Sequence, residues 1–163
     1  MKYSIFVDMD DVLTDLHNQI INTGKVGEEE IQKLKQKTMS DEHFWEIVNE
    51  SGVEFWSKMN WTSNGKKLWN LISPANPTVL SAYSKKGIHI IEGKKIWIKN
   101  NINNARHILC LREEKQKFAH PNAVLIDDRE DNIDEWEQSG GIGIFYEDKN
   151  FDNIKLKIAR YLI

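Results

Sequence analysis

Residues 6–13 read FVDMDDVL, and this stretch does most to decide the fold. An apolar, β-favouring run over residues 3–7 passes directly into acidic residues, of which Asp8 and Asp10 alternate along the chain. In an extended chain these two carboxylates point to the same side of the strand end. Clustered carboxylates repel one another unless a cation holds them, and a hard divalent ion such as Mg²⁺ suits an all-oxygen site. The stretch therefore predicts a strand that ends in a metal-binding loop.

A second apolar run ends in the same way. Residues 123–126 read AVLI, and Asp127 and Asp128 follow them. A single acid pair of this kind is explained equally well by a turn or by the start of a helix. Two pairs, each closing an apolar strand, predict one shared site, because ligands bind at the carboxyl ends of parallel strands.

The order of the remaining elements predicts the fold class. Three more short apolar runs occur at residues 78–80, 108–111 and 142–145, and helix-like stretches separate most of the runs. Alternating strands and helices are typical of a three-layer, Rossmann-like α/β fold with a parallel sheet. The segment from about residue 16 to residue 61 breaks this alternation, since it shows helical patterns at 29–37 and 41–50 and no clear strand.

We therefore expect two parts in the chain. Residues 1–14 and 62–163 form an α/β core domain, and residues 15–61 form a small helical cap inserted after the first strand. Length and composition agree with this division, because 163 residues with 40% hydrophobic side chains suffice for one compact domain with a modest insertion.

Charge and cysteine content narrow the class of partners and the compartment. The net charge of −3 and the lack of a basic tail disfavour a protein that coats long nucleic acids, but they permit a small phosphorylated substrate. The first apolar run is too short for a signal peptide or a membrane span. The one cysteine, Cys110, lies in an apolar run and is interpreted as core packing, which suits a reducing cytoplasm. The oligomeric state cannot be predicted.

The two acid clusters resemble motifs of the haloacid-dehalogenase superfamily. Residues 8–13 resemble its first motif, acid-x-acid-x-Val/Thr, and residues 126–132, IDDREDN, with GGIGI at 140–144, resemble its fourth. The fourth motif is similar in particular to that of the 5′(3′)-deoxyribonucleotidases. This resemblance implies a phosphatase, because the second acid, Asp10, is the feature that separates phosphatases of this superfamily from its dehalogenases.

The resemblance also locates the two remaining motifs. The second motif is a Ser or Thr at the end of the next core strand, and TVLSA at 78–82 supplies Ser81. The third is a lysine on the following helix, and GKKIW at 93–97 resembles the Lys-x-x-Trp arrangement of the deoxyribonucleotidases. The resemblance implies that Ser81 and the N–H of Ala82 bind the phosphate, while Lys94 offsets its negative charge.

The implied reaction is hydrolysis of a phosphate monoester through an aspartyl-phosphate. Asp8 is the nucleophile, and Asp10 protonates the leaving oxygen and then activates water. The resemblance implies a Mg²⁺ ion held by the Asp8 carboxylate, the Asp10 backbone carbonyl and an acid of the second pair. We favour Asp128 as the direct ligand, with Asp127 beside it. The family usually has glycine where this chain has Asp11, so an extra carboxylate adjoins the site.

The predicted cap is rich in aromatic residues, and these have two interpretations. They form the small core of the cap, or one or two of them stack on a nucleobase, as cap aromatics do in the deoxyribonucleotidases. The candidates for a substrate pocket are Phe44, Trp45, Phe55 and Trp56.

Three other functions are compatible with parts of the pattern. The first is a phosphatase for nucleic-acid ends or sugar phosphates. The second is a phospho-accepting signalling module such as a receiver domain, which also carries acids and a lysine at strand ends. The third is a catalytically inactive binding protein, although all four motif positions are filled. The order of the acid clusters favours the phosphatase, and the expected partner is a small phosphorylated molecule, most simply a nucleotide.

Overall fold

The structure is a computed structural model that describes residues 2–162. Within these residues, five strands form one sheet in which every pairing is parallel. The strands are β1 (Ser4–Val7), β2 (Thr78–Ala82), β3 (His107–Cys110), β4 (Ala123–Asp127) and β5 (Ile142–Phe145). All five were predicted from apolar runs, and the parallel α/β architecture is confirmed.

The strand order explains why the two acid clusters meet. The sheet runs β3-β2-β1-β4-β5, so β1 lies at the centre with β2 on one side and β4 on the other. Val7 pairs with Ile126, the residue before Asp127. This order also differs from the 2-1-3-4-5 order of the flavodoxin-like fold that receiver domains adopt. The topology therefore argues against the receiver-domain alternative.

Eight α-helices occur in the described part of the chain, and none of them has both the length and the apolar character needed to cross a membrane. They are α1 (Leu16–Ile21), α2 (Glu28–Lys35), α3 (Glu42–Glu50), α4 (Val53–Ser57), α5 (Gly65–Ile72), α6 (Ile90–Asn101), α7 (Glu130–Gln138) and α8 (Phe151–Ala159). Short 3₁₀ helices occur at Ser73–Ala75, Arg112–Phe118 and Asp148–Asn150.

The chain divides into two compact units. The first contains the sheet, with α5, α7 and α8, in residues 2–14, 61–83 and 105–162. Its core forms because α7 turns Ile133 and Trp136, three residues apart, toward the sheet. The indole N–H of Trp136 donates to the carbonyl of Ala123 at 3.2 Å. Cys110 is buried in the same core, in agreement with its interpretation as a packing residue.

The second unit is helical within its described residues. It contains residues 15–60, with α1 to α4, and also residues 84–104, with α6. The sequence predicted a helical insertion over 15–61, but it assigned residues 84–104 to the core domain. Helix α6 clusters with the inserted helices because Gly93 lies directly against Trp56 of α4: a Cβ on Gly93 would come within 2.4 Å of the Cβ of that tryptophan.

Candidate functional site

The carboxyl ends of β1 and β4 bring the first and last predicted acids together. The N–H of Asp8 donates to the carbonyl of Ile126 at 2.9 Å, so the ladder between the two strands continues to this residue. Asp127 is the last residue of β4 and is fully buried, and Asp8 is 5% exposed. Strands β1 and β4 are short and apolar up to their acids. Because these apolar residues are buried in adjacent parallel strands, both carboxylates lie at the carboxyl ends of the sheet.

A buried lysine joins these two carboxylates. Lys115, in the 3₁₀ segment Arg112–Phe118, places its Nζ 2.9 Å from Asp8 Oδ1 and 2.8 Å from Asp127 Oδ2. It is only 3% exposed. Both contacts are charge-assisted hydrogen bonds of the short kind formed between ammonium and carboxylate groups. Lys115 therefore neutralises part of the charge that gathers at the strand ends.

The electrostatics of this lysine depend on its two partners. Burial alone would lower the pKa of the Lys115 ammonium, because a low-dielectric interior disfavours the charged form. The charges of Asp8 and Asp127, and the hydrogen bonds to them, outweigh burial and hold the pKa of Lys115 above its ordinary value. The two carboxylates thus favour the charged form of Lys115.

Asp127 uses both of its carboxylate oxygens for contacts with the protein. Oδ2 accepts from Lys115 and also from Asn132 Nδ2 at 3.0 Å. Oδ1 accepts from the backbone N–H of Arg129 at 3.0 Å. These contacts tie Asp127 to the 3₁₀ segment and to the start of α7, so its orientation is fixed from three sides.

Asp128 completes a group of three carboxylates that could hold a metal ion. One oxygen each of Asp8, Asp127 and Asp128 lies within 4.8 Å of the others. Burial, followed by the negative charge of Asp8, raises the pKa of both Asp127 and Asp128. For Asp128, the charges of Asp127 and Asp11 add to this rise. The cluster has the hard oxygen ligands that a divalent cation such as Mg²⁺ requires, and such a cation would relieve the repulsion that raises these pKa values.

The turn after Asp8 is held by Thr14. Its N–H and its hydroxyl both donate to the carbonyl of Met9, at 2.9 and 3.1 Å, and its carbonyl accepts from the N–H of Asp11 at 2.6 Å. Asp11 has a φ of 58°, in the left-handed region that suits glycine and that Asp tolerates better than most other residues. This backbone conformation gives a physical reason for the glycine common at this position in the family that the sequence resembles.

The structure places the predicted phosphate-binding residues in both units. Ser81 and Ala82 end β2, which neighbours β1, so they belong to the sheet edge that carries Asp8. Ser81 is fully buried. Lys94 lies on α6 in the second unit, where it is fully buried with its Nζ 5.4 Å from the ring centroid of Trp56. Phosphate binding by these three residues stays a prediction.

The four predicted pocket aromatics form one cluster in the second unit. Neighbouring rings lie 5.1 Å apart in the pairs Phe44–Trp45 and Phe55–Trp56, and Trp45 stacks on Trp56 at 6.4 Å. Phe55 and Trp56 are buried, whereas Phe44 and Trp45 are half-buried. The cluster therefore serves as a small core, and its two half-buried rings keep surface that could meet a ligand.

Sequence reasoning missed Lys115, and it included Asn132 in the resemblance to the fourth motif without giving it a role. Lys115 stands in the charged run REEKQK at 112–117, where any lysine has the pattern of a solvated side chain. Its position in the chain could have indicated its place in the site. The run follows β3 directly and therefore begins at the carboxyl ends of the strands. Asn132 follows the second acid pair by four residues, in the first turn of α7, and could have been assigned to the site on that ground.

Comparison with known proteins identifies the fold. No family model and no curated protein matches the sequence. Solved structures do match in shape: a HAD-superfamily hydrolase from Ehrlichia chaffeensis is 15% identical, with a TM-score of 0.55 and full coverage of both chains. A hydrolase from Pseudomonas syringae is 12% identical, with a TM-score of 0.54, and the match covers 94% of this chain and 90% of that one.

An L-2-haloacid dehalogenase from Xanthobacter autotrophicus, with chloropropionic acid covalently bound, is also similar. It is 8% identical, with a TM-score of 0.56, and the match covers all of this chain and 85% of the dehalogenase. At such identities the likeness concerns the fold. The chain therefore has the fold of the haloacid-dehalogenase hydrolases, as the sequence predicted.

Proposed function

We propose that this protein is a Mg²⁺-dependent phosphomonoester hydrolase that forms an aspartyl-phosphate on Asp8. The observation that carries the proposal is the group of Asp8, Asp127 and Asp128 at adjoining strand ends, with Lys115 buried between the first two. A carboxylate nucleophile needs neighbouring positive charge before it can approach a phosphate dianion, and a lysine and a divalent cation together supply it.

The residues present fit a hard divalent cation. Asp8 and Asp128, together with the backbone carbonyl of Asp10, would hold Mg²⁺. Asp128 is the better direct ligand of the second pair, because Asp127 already accepts three hydrogen bonds from Lys115, Asn132 and the N–H of Arg129. When bound, Mg²⁺ supplies positive charge next to the phosphate oxygens and so reduces their repulsion of the nucleophile.

The proposed chemistry proceeds in two steps. In the first, the Asp8 carboxylate attacks phosphorus, the phosphorus–oxygen ester bond breaks, and Asp10 gives a proton to the departing alcohol oxygen. In the second, Asp10 takes a proton from a water molecule, which attacks phosphorus and releases phosphate from Asp8. Lys115 keeps its proton throughout and balances the charge on Asp8 and Asp127, and Ser81 with the N–H of Ala82 binds the phosphate oxygens.

The identity of the second acid favours a phosphatase over a haloacid dehalogenase. A dehalogenase forms an ester between its aspartate and the carbon that loses the halide, and a halide leaves without needing a proton. Cleavage of a phosphate ester instead releases an alkoxide, for which a nearby acid is valuable. Asp10 supports the phosphatase proposal because it offers that acid two residues after the nucleophile.

We further propose a nucleoside monophosphate, in particular a deoxynucleotide, as the substrate. Two features support this choice: the similarity of the fourth motif to that of the 5′(3′)-deoxyribonucleotidases, and the half-buried rings of Phe44 and Trp45. An aromatic ring stacked on a base contributes about 1–3 kcal/mol. Sugar phosphates and 3′-phosphorylated nucleic-acid ends are the competing substrates.

A phosphate-release assay tests the proposal. The panel contains deoxynucleoside and ribonucleoside monophosphates, sugar phosphates and 3′-phosphorylated oligonucleotides, each with Mg²⁺ and with EDTA. We expect Mg²⁺-dependent release from deoxynucleotides, and Asp10→Asn should retain Mg²⁺ binding while turnover falls by about 100-fold or more. Failure to hydrolyse any monoester, by a folded protein that binds Mg²⁺, would contradict the proposal.

A further inference from the structure

We infer that Arg112 is a positioning residue that holds Lys115 in place by acting through Asn132. The inference rests on the proposed function only in assigning a catalytic consequence to the position of Lys115. Its structural part, that Arg112 and Asn132 determine where the ammonium of Lys115 lies, stands on contacts within the sheet-containing unit.

The chain of contacts runs from Arg112 to Asp8. Arg112 Nη1 donates to Asn132 Oδ1 at 3.0 Å, and Asn132 Nδ2 donates to Asp127 Oδ2 at 3.0 Å. The same Asp127 oxygen accepts from Lys115, which also donates to Asp8 Oδ1. Asn132 is 5% exposed, so water does not readily replace either of its partners. The position of each side chain in this series therefore depends on the hydrogen bond that it receives from, or donates to, its neighbour.

The amide of Asn132 has two orientations, and only one supports Asp127. A rotated amide would present its oxygen to a carboxylate oxygen, which is repulsive, and would lose the donor. Arg112 is always charged and can only donate, so its contact requires the oxygen of Asn132 on its own side. Arg112 therefore fixes the amide with its NH₂ group toward Asp127.

Arg112 also fastens the segment that carries Lys115. The guanidinium donates to both carboxylate oxygens of Glu135, at 3.1 and 3.4 Å, and Glu135 lies on α7. Seven residues are long for a 3₁₀ helix, whose hydrogen-bond geometry is poorer than that of an α-helix, so its position depends on such outside contacts. One arginine thus ties both the segment and the amide of Asn132 to α7.

The first experiment measures the position of Lys115 without reference to activity. The ¹H–¹⁵N NMR signal of a lysine ammonium is sharp when the group is buried and hydrogen-bonded, and its assignment follows from its loss in Lys115→Met. We expect this signal in the wild type and in the control Lys117→Met, which removes an exposed cation from the same segment. It should broaden or shift in both Arg112→Met and Asn132→Ala. An unchanged signal in these two variants would overturn the inference.

The second experiment measures the catalytic consequence. We expect Arg112→Met and Asn132→Ala each to lower kcat by about 10- to 100-fold with little change in KM, as for other residues that orient catalytic groups. The double variant should be no worse than the more impaired single one, because both act through one chain of contacts. Additive losses would overturn the proposed route through Asn132.

The variant Glu135→Gln distinguishes the action of Arg112 through Asn132 from its anchoring of the 3₁₀ segment to α7. It weakens the two hydrogen bonds between Arg112 and Glu135 but leaves the contact between Arg112 and Asn132. We expect kcat close to wild type in this variant. A loss as large as that of Arg112→Met, with Asn132→Ala unimpaired, would show that Arg112 acts only by anchoring the segment. If the wild type hydrolyses no phosphate ester, the proposed function fails, while the NMR result still decides the structural inference.

Discussion

Among the residues that the structure describes, two lysines are buried, one in each unit. Lys115, in the sheet-containing unit, bridges Asp8 and Asp127 at distances below 3 Å. Lys94, in the helical unit, lies 5.4 Å from the ring centroid of Trp56. A buried ammonium needs compensation, and Asp8 and Asp127 provide it for Lys115. The comparison teaches that burial alone does not assign a lysine to the acid cluster, whereas the two short contacts with Asp8 and Asp127 do so for Lys115.

The largest difference between the two regions should appear on removal of each lysine. Lys115→Met leaves two buried carboxylates without their cation and should cost about 3–5 kcal/mol of unfolding free energy. In Lys94→Met, loss of the cation–π contact with Trp56 should contribute about 2 kcal/mol. Urea unfolding in the absence of Mg²⁺ measures both values. Equal costs for the two variants would break the comparison.

Steady-state kinetics of the same two variants sharpens the assignment of roles. We expect Lys115→Met to lower kcat by about 100-fold or more, because the lysine balances charge on the nucleophile. A raised KM with an unchanged kcat in Lys94→Met would confirm the phosphate-binding role that the sequence predicts for it. An unimpaired Lys115→Met beside an inactive Lys94→Met would reverse the assignment.

Mg²⁺ should stabilise the protein through the strand-end region alone, and more strongly at higher pH. Burial and the charge of Asp8 raise the pKa of Asp127 and Asp128, so the folded state holds protons that the unfolded state has released. Without metal, stability therefore falls as pH rises above the ordinary aspartate pKa of about 4. Bound Mg²⁺ removes this repulsion and should add about 2.7 kcal/mol at a hundredfold excess over its Kd.

Thermal unfolding with Mg²⁺ and with EDTA, at about pH 5 and about pH 8, measures this effect. The stabilisation should be larger at the higher pH and should be lost in Asp128→Asn. Stabilisation that is independent of pH, or that survives Asp128→Asn, would place the bound metal elsewhere.

Each unit contains a close-packed glycine whose replacement should have a smaller effect on stability. A Cβ on Gly65 would come within 2.5 Å of the carbonyl oxygen of Leu13, in the turn that follows Asp8, and a Cβ on Gly93 would meet Trp56. Each Gly→Ala change should cost about 1–3 kcal/mol. Gly65→Ala should also reduce stabilisation by Mg²⁺, whereas Gly93→Ala should not. Gly27→Ala is the control, because a Cβ there meets nothing within 4 Å.

The smallest expected effect concerns Asp11. Replacement by glycine relieves a left-handed backbone but adds chain entropy to the unfolded state, so stability should change by about 1 kcal/mol or less. Asp11→Gly and Asp11→Asn both remove a charge that acts on Asp128 and should weaken Mg²⁺ binding to a similar extent. Titration with Mg²⁺ followed by calorimetry checks this, and unchanged affinity in both variants would show that the extra carboxylate has no part in the metal site.

The sequence was sufficient to predict the parallel sheet and the acids at the ends of its strands. Strands β1 and β4 are short apolar runs that stop at carboxylates, and this pattern alone predicts both their burial and their shared edge. The proximity of Asp8, Asp127 and Asp128, three acids that could hold a metal ion, follows directly from that pattern. The interpretation of the region after Leu16 as helical rested on periodicity and was equally accessible.

The position of Lys115 at the acid cluster could not be predicted from the sequence in the same way. Its 3₁₀ segment has no apolar periodicity, and the burial of Lys115 results from contacts with residues 12 and 107 positions away in the chain. The grouping of α6 with the inserted helices likewise depends on the tight contact between Gly93 and Trp56, which no local pattern encodes. Long-range packing decided both features, and propensity and spacing describe only local structure.

The proposed mechanism requires that Asp8 becomes phosphorylated during turnover. The most direct test is acid quenching of the protein during hydrolysis of its best substrate, followed by mass spectrometry of the peptide that contains Asp8. We expect a phosphoryl group on Asp8 that requires Mg²⁺ and is absent from Asp8→Asn, which should not turn over. Unmodified Asp8 throughout steady-state hydrolysis, or full activity in Asp8→Asn, would contradict the account.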